Sequence, residues 1–163
     1  MFSPHCRWRL ETGHGKVDTQ KMMNDQARFA AVQKIFGDAA FISHLGIKLE
    51  EVKQGWCRTS LSVKPEHAQQ HGTVHAGVIS TLADHTCGGS ARASTQAHQD
   101  VVTIEFKINF LRPAKGERLE AEGRALRSGQ RIIEAESEVF AFEGGQRVLV
   151  AKCTSTLAVI PQK

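Results

Sequence analysis

The alternation in the stretch VTIEFKINF, residues 102–110, decides the fold class of this chain. Every second residue from Val102 to Phe110 is apolar and the residues between them are polar, which predicts a β-strand with one buried face. Stretches 119–125 and 133–139 alternate in the same way, and Gly144-Gly145 turns the chain into a last strand over 147–159. Because short turns separate these stretches, we predict four strands that are antiparallel neighbours in the order of the sequence.

Helical and extended patterns precede this region. Small and apolar residues at three- and four-residue steps predict a helix from Asn24 to Gly37, and two strands are predicted at about 47–54 and 56–63. One long helix is predicted from His75 to Ser94. Each strand has an apolar face to bury, and this helix is the only large apolar element available. The sequence therefore predicts an α+β domain, an antiparallel sheet of five to six strands wrapped around a long central helix.

Length and composition limit the organisation of the chain. With 163 residues, 40% hydrophobic and 23% charged, it fits one folded domain, over 22–163, preceded by an N-terminal arm over 1–21. No apolar run is long enough for a membrane span or a signal peptide. The net charge of +4 is spread along the chain, which disfavours nucleic acid as a partner. Four scattered cysteines indicate reduced thiols and a cytoplasmic protein: Cys6, Cys57, Cys87 and Cys153.

The segment 69–84, QQHGTVHAGVISTLAD, is the best candidate for a functional site. On a helix that begins near His75, small residues surround Asp84 on one side and leave room beside its carboxylate. The first N–H groups of the helix lack partners within it, so a carbonyl oxygen could approach Ala76 or Gly77, with His75 beside them. Alternatively, Asp84 is a solvated helix residue, His75 stands next to a cap, and the glycines only assist packing.

Three motifs resemble one enzyme family. His71-Gly72-x-x-His75-x-Gly77, then Leu82-Ala83-Asp84, then Phe110-Leu111-Arg112-Pro113-Ala114 are similar in order and spacing to the hotdog-fold acyl-CoA thioesterases of the phenylacetate-pathway (PaaI-like) group. The resemblance covers residues 40–160. It implies the hotdog fold and hydrolysis of an acyl-CoA or aryl-CoA thioester to a free acid and coenzyme A, without a cofactor.

The resemblance also implies roles for single residues. Asp84 takes the place of the carboxylate that activates water or attacks the carbonyl, and Ala76 that of a glycine whose N–H binds the thioester oxygen. His75 matches the family's histidine, Gln69 stands where asparagine is usual, and Thr103 matches a Ser/Thr thought to hold the attacking water. The alternation places Thr103 on the polar side of its strand, opposite Phe106. An acyl pocket is expected at Gly77, Val78 and Thr81.

Helix geometry adds an argument about assembly. Ala76 and Asp84 are eight residues apart, which on a straight helix corresponds to about 12 Å. One subunit cannot easily supply both groups to one carbon, whereas two antiparallel helices related by a two-fold axis can. The family implies such a homodimer, often paired again into a tetramer, with its active sites at the interface.

Basic residues at turns are candidates for binding the phosphates of coenzyme A. Arginine suits bidentate contact with phosphate, although such residues at turns are often only solvated. The candidates form two groups: Arg112 with Lys115, and Arg127 with Ser128 and Arg131.

Other functions remain open. His67, His71, His75 and His85 lie close in sequence, but no cysteine or carboxylate completes a zinc set at typical spacing, so no metal is expected. The fold also serves acyl-thioester dehydratases and hydratases, and a non-catalytic acyl-CoA sensor is a further alternative. Phosphate-loop, nucleophile-elbow and dinucleotide motifs are absent from the sequence.

Overall fold

The computed structural model describes residues 23–162, so the arm predicted over 1–21 lies outside the described residues. The described chain contains three α-helices, six β-strands and one short 3-10 helix. In chain order they are α1 (Asp25–Gly37), α2 (Ala40–Leu45), β1 (Ile47–Lys53), β2 (Trp56–Ser62), the 3-10 helix (Pro65–His67), α3 (Ala76–Ala93), β3 (Gln99–Phe110), β4 (Arg118–Ser128), β5 (Ile132–Glu143) and β6 (Gln146–Pro161).

All six strands form one antiparallel sheet in the order β1-β2-β4-β5-β6-β3. The prediction that β3 and β4 are neighbours is wrong, because β3 pairs with β6 at the edge of the sheet. The segment between them does not form a tight hairpin. Its Ala114 is buried and accepts a hydrogen bond from the Val74 N–H at 3.0 Å, which ties the segment to the loop before α3. The chain therefore crosses over instead of turning back beside β3.

The sheet wraps around α3, as the sequence predicts. The helix packs against all six strands, and its buried face includes Ile79, Leu82 and Ala83. The sheet approaches the helix closely at Gly123, where a Cβ would lie 2.6 Å from the Thr86 carbonyl oxygen. The small-residue side of α3, which carries Asp84, is only partly buried and remains accessible.

The two N-terminal helices cover part of the sheet and one side of α3. Asn24 caps α1 by accepting the Ala27 N–H at 2.8 Å. Arg28 is buried and donates to the Ala93 carbonyl at 2.9 Å, so the start of α1 is fixed to the end of α3. The short helix α2 places Ile42 in the core and leaves Phe41 exposed. No helix among residues 23–162 combines the length and apolarity that crossing a membrane requires.

A β-bulge at Ile104 changes which side chains of β3 face the helix. The pairing with β6 shifts between Thr103 and Glu105, so that Thr103 pairs with Leu157 and Phe106 pairs with Ser155. Both partners on β6 are buried. The extra residue therefore brings Thr103 and Phe106 to the same face, whereas uninterrupted alternation places them on opposite faces.

Candidate active site

The N-terminus of α3 presents one free backbone donor. His75 is the N-cap, and its Nδ1 accepts the Gly77 N–H at 2.9 Å. The Ala76 N–H has no hydrogen-bond partner among residues 23–162, and Ala76 is exposed. Because Nδ1 is occupied as an acceptor, the proton of a neutral His75 ring is on Nε2. The capping and catalytic interpretations of His75 are therefore compatible, since the cap occupies Nδ1 and leaves the Nε2–H available as a donor.

Asp84 is held by two hydroxyl groups. Thr103 on β3 donates to Oδ1 at 3.1 Å, and the Ser155 hydroxyl on β6 lies 3.4 Å from the same oxygen and 3.2 Å from the Glu105 carbonyl oxygen, between which it shares its proton. Oδ2 has no hydrogen-bond partner among the described residues. Burial raises the pKa of Asp84 above its ordinary value, while the bonds from Thr103 and Ser155 act in the opposite direction. The arrangement fixes the carboxylate and leaves one oxygen free to react.

The two halves of the candidate site line different cavities. Ala76 lines a cavity of about 460 Å³ together with Gln69, His71 and Arg112. Asp84 lines a second cavity, of about 380 Å³, with Phe41 and Phe106. No lining residue belongs to both cavities. Within one chain Ala76 and the Asp84 carboxylate therefore do not face a common space.

Of the remaining predicted site residues, Gln69 and Thr81 each line one of the two cavities. The side-chain amide of Gln69 donates to the Thr73 hydroxyl at 2.6 Å, and both residues line the first cavity. Thr81 lines the Asp84 cavity. Val78 is a core residue, and Gly77 is exposed on the first turn of α3 with its N–H bound to His75; neither lines one of the two cavities.

Comparisons with known proteins identify the family. The family description "Thioesterase superfamily" matches residues 71–148. A Saccharolobus solfataricus protein whose name describes it provisionally as an esterase is 31% identical over 82% of this chain and 93% of its own. The chain belongs to the thioesterase superfamily. The names of its relatives support hydrolase activity in general. The medium/long-chain acyl-CoA thioesterase YigI of Escherichia coli is 24% identical over 71% of this chain and 82% of that protein.

Solved structures agree on the fold of this thioesterase-superfamily member. A thioesterase family protein from Silicibacter pomeroyi superposes with a TM-score of 0.81 at 30% identity, over 83% of this chain and 99% of the other. The PaaI protein of the E. coli phenylacetic acid degradation operon gives a TM-score of 0.76 at 18% identity, over 85% and 97%. This second likeness concerns the fold alone and confirms the predicted hotdog architecture.

In this member of the thioesterase superfamily, the two groups of residues predicted to bind phosphate lie at opposite ends of the sheet. Arg112 follows β3 and donates to the Leu149 carbonyl at 3.0 Å. Arg131 is in the turn between β4 and β5, and its carbonyl accepts the Val159 N–H. Ten residues of β6 separate these contacts, or roughly 33 Å of extended strand. Arg112 and Lys115 at one end, and Arg127, Ser128 and Arg131 at the other, are all exposed.

Sequence reasoning missed two residues beside Asp84. Ser155 is 71 positions from Asp84 in sequence, and only the pairing of β6 with β3 brings it near the carboxylate. His85 follows Asp84 directly and lines the same cavity. Its position was visible in the sequence, but its burial was not.

Three cysteines lie within residues 23–162, and none of them lines either cavity. Cys57, Cys87 and Cys153 are free and fully buried. The hydrogen bond with Cys153, followed by burial, raises the pKa of Cys87, which keeps this thiol protonated. No group of three or more metal-ligating side chains occurs in the described part of the chain.

Proposed function

We propose that this protein hydrolyses acyl-CoA thioesters in active sites shared between two copies of the chain. The observation that carries the proposal is the combination of a free N–H at Ala76 with a fixed, partly desolvated carboxylate at Asp84, in two cavities that one chain does not join. The acyl-CoA thioesterase activity in the name of YigI supports the substrate class.

The helix N-terminus polarises the thioester carbonyl. Its oxygen accepts hydrogen bonds from the Ala76 N–H and from Nε2–H of His75, where the partial positive charge of the helix adds to the stabilisation. These donors bind the oxygen more strongly as negative charge develops on it. The Ala76 methyl group narrows the approach but does not remove the donor. Gln69 lines the same cavity and limits where the acyl group can enter.

Asp84 of the partner subunit then acts on the carbonyl carbon through its free oxygen. As a general base, Oδ2 takes a proton from water while the water oxygen bonds to carbon, and collapse of the tetrahedral intermediate expels the coenzyme A thiolate. As a nucleophile, Oδ2 itself bonds to carbon and expels the thiolate, leaving a mixed anhydride that water opens. In both routes Thr103 holds Oδ1 and does not need to hold the water.

The β3 edge is the surface on which two chains would join. Within the described part of the chain, residues 23–162, β3 has a neighbouring strand on one side only, and Phe106 and Phe110, on its helix-facing side, are nearly half exposed. An unpaired strand of this length is a template for pairing with a second strand. Antiparallel pairing of two β3 strands about a two-fold axis would carry Ala76 of one chain toward Asp84 of the other.

The same two-fold pairing would gather the basic residues. It sets the end of β3 in one chain beside the start of β3 in the other, so Arg112 and Lys115 would approach the partner's turn with Arg127, Ser128 and Arg131. We propose that the phosphates of coenzyme A bind between these groups. A further pairing of dimers into a tetramer is compatible with this arrangement.

A thiol-release assay tests the proposed function. Wild-type protein is mixed with aryl, short-chain and long-chain acyl-CoA esters, and free coenzyme A is measured. We expect turnover of at least one class and a loss of about 10²- to 10⁴-fold in Asp84→Asn. Asp38→Asn, which alters an exposed carboxylate on the surface, should retain full activity. Tight acyl-CoA binding without turnover, or hydration of enoyl-CoA, would contradict the proposal.

A further inference from the structure

Two aromatic side chains line the cavity beside Asp84. Phe41 comes from α2 and Phe106 from β3, and Ala39 and Ile42 add further apolar surface. Phe41 is 61% exposed and Phe106 is 45% exposed, so both rings lie partly outside the core. Single exposed apolar side chains are common on proteins and need no explanation. Two aromatic rings in one cavity with a partly buried carboxylate are instead typical of a site that binds an organic group.

The short helix α2 fixes the backbone at Phe41. The next residue, Ile42, is buried in the core. Gly46, with φ 77°, ends α2 by donating its N–H to the carbonyls of Ile42 and Ser43, each at 3.1 Å. Adjacent residues of a helix do not face the same way, so the burial of Ile42 turns Phe41 away from the core. Phe41 is therefore an exposed ring on an anchored helix.

Charge distinguishes the two cavities of the candidate site. Arg112 lines the cavity that contains Ala76, and arginine suits the phosphates of coenzyme A. No lysine or arginine is among the described residues that line the Asp84 cavity. Burial lowers the pKa of His85, which also lines it, to about 4, so that ring is uncharged near pH 7. The Asp84 carboxylate would repel a phosphate there. These charges favour the coenzyme on the Ala76 side and an uncharged acyl group on the Asp84 side.

We propose that the Asp84 cavity binds an apolar acyl chain and that Phe41 determines which chain lengths it accepts. The inference rests on the proposed function, because it concerns the acyl group of the same thioester. In the shared site the carbonyl carbon lies between Asp84 and the Ala76 N–H of the partner subunit. The acyl chain that leaves this carbon on the Asp84 side enters the cavity of about 380 Å³ that Phe41 and Phe106 line. A large side chain at position 41 limits the space for that chain.

Phe41 is the better of the two rings for a test. Phe106 lies on β3, the strand on which two chains would join, so changing it would alter both the cavity and the pairing. Phe41 lies on α2, outside the sheet, and more than half of its surface is exposed. Substitutions at Phe41 therefore change the cavity wall with little effect on the core or on the proposed strand pairing.

Chain-length profiles test the inference. The kcat/KM values of butanoyl-, hexanoyl-, octanoyl-, dodecanoyl- and hexadecanoyl-CoA are measured for wild type and variants. In Phe41→Ala we expect the values for longer esters to rise about tenfold or more relative to the ester that wild type prefers, as differences in apolar contact do in other pockets. Phe41→Trp, with a larger ring system, should shift the preference to shorter esters. Phe29→Ala changes an exposed phenylalanine of α1 that does not line the cavity, and should keep the wild-type profile.

Two results would overturn the inference. One is a profile of folded Phe41→Ala that runs parallel to that of wild type, whether or not the overall activity falls. The other is dissociation of a wild-type dimer in Phe41→Ala, measured by sedimentation, without a change in the preferred ester, which would assign Phe41 to a subunit contact. If Phe41→Ala fails to fold, the same comparison is made with Phe41→Leu and Phe41→Trp. Failure of wild type to hydrolyse any of the esters would contradict the proposed function instead.

Discussion

At the residue scale, the N-cap of α3 determines which backbone N–H groups at the helix start are bonded and which are free. His75 takes the Gly77 N–H through Nδ1, which leaves the Ala76 N–H free. The sequence indicated His75 and Ala76 from the predicted helix start, and a family resemblance added their roles, but neither distinguished a cap from a catalytic residue. In the structure His75 is the cap, and this cap sets the tautomer that the proposed catalytic donor needs.

Replacing Ala76 by proline removes the proposed oxyanion donor with little change to the helix. Ala76 is the first residue of α3, where proline is well tolerated, and His75 has φ −63° and ψ 138°, as residues before proline prefer. We expect kcat/KM to fall about 10²- to 10³-fold while circular dichroism and the melting temperature stay near wild type. Ala76→Gly keeps the N–H and should remain active. An active, folded Ala76→Pro enzyme would exclude this N–H as the donor.

Removing a hydroxyl group that is bonded to Asp84 should change the pH profile of kcat/KM. Hydrogen bonds from Thr103 and Ser155 lower the pKa of Asp84, against the effect of burial. Ser155→Ala or Thr103→Val should therefore raise that pKa. Since activity is lost as pH falls through it, the acidic limb of kcat/KM should move to higher pH. The exposed neighbour Thr154 offers a control, because Thr154→Ala should leave the limb in place. A shift to lower pH, or none, would contradict the assignment.

The contact between Ser155 and Asp84 could not be predicted from the sequence. Asp84 could be predicted because its neighbours along one helix are small, and that is a local property. Ser155 reaches Asp84 only through the register of β6 on β3, which the alternation of one strand does not contain.

At the element scale, most helices and strands could be predicted from periodicity, but their pairing could not. The alternation of β3 indicates a strand with one buried face, and it does not specify which strand lies beside it. The sequence predicted that β4 pairs with β3. In the structure the segment after β3 buries Ala114 and crosses over, so β3 pairs with β6 instead. The bulge at Ile104 is a second non-local feature, and it reverses the expected facing of Thr103.

Close packing between α3 and its neighbours predicts a stability difference between two glycine variants. A Cβ on Gly89 would lie 2.8 Å from Cys57 Sγ and 3.2 Å from the Phe36 ring, whereas a Cβ on Gly37 meets nothing within 4 Å. Overpacking should make Gly89→Ala about 1–3 kcal/mol less stable. Gly37→Ala should stay within about 1 kcal/mol of wild type. Urea unfolding of both variants measures this, and equal midpoints would show that the core around α3 is looser than described.

At the scale of the whole molecule, the proposed active site requires a second copy of the chain. The donor at Ala76 and the carboxylate at Asp84 face separate cavities, and the two basic groups lie at opposite ends of the sheet. Spacing along one helix allowed the first separation to be predicted from the sequence. The second could not be predicted, because it depends on which ends of the strands meet.

Mixing two inactive variants tests the shared site most directly. Ala76→Pro and Asp84→Asn chains are refolded together in equal amounts, and acyl-CoA hydrolysis is compared with that of each variant alone. If each site takes its N–H from one chain and its carboxylate from the other, every mixed dimer has one intact site, and random pairing restores about a quarter of wild-type activity. If each chain builds its own site, every site carries a defect and the mixture stays as inactive as its components.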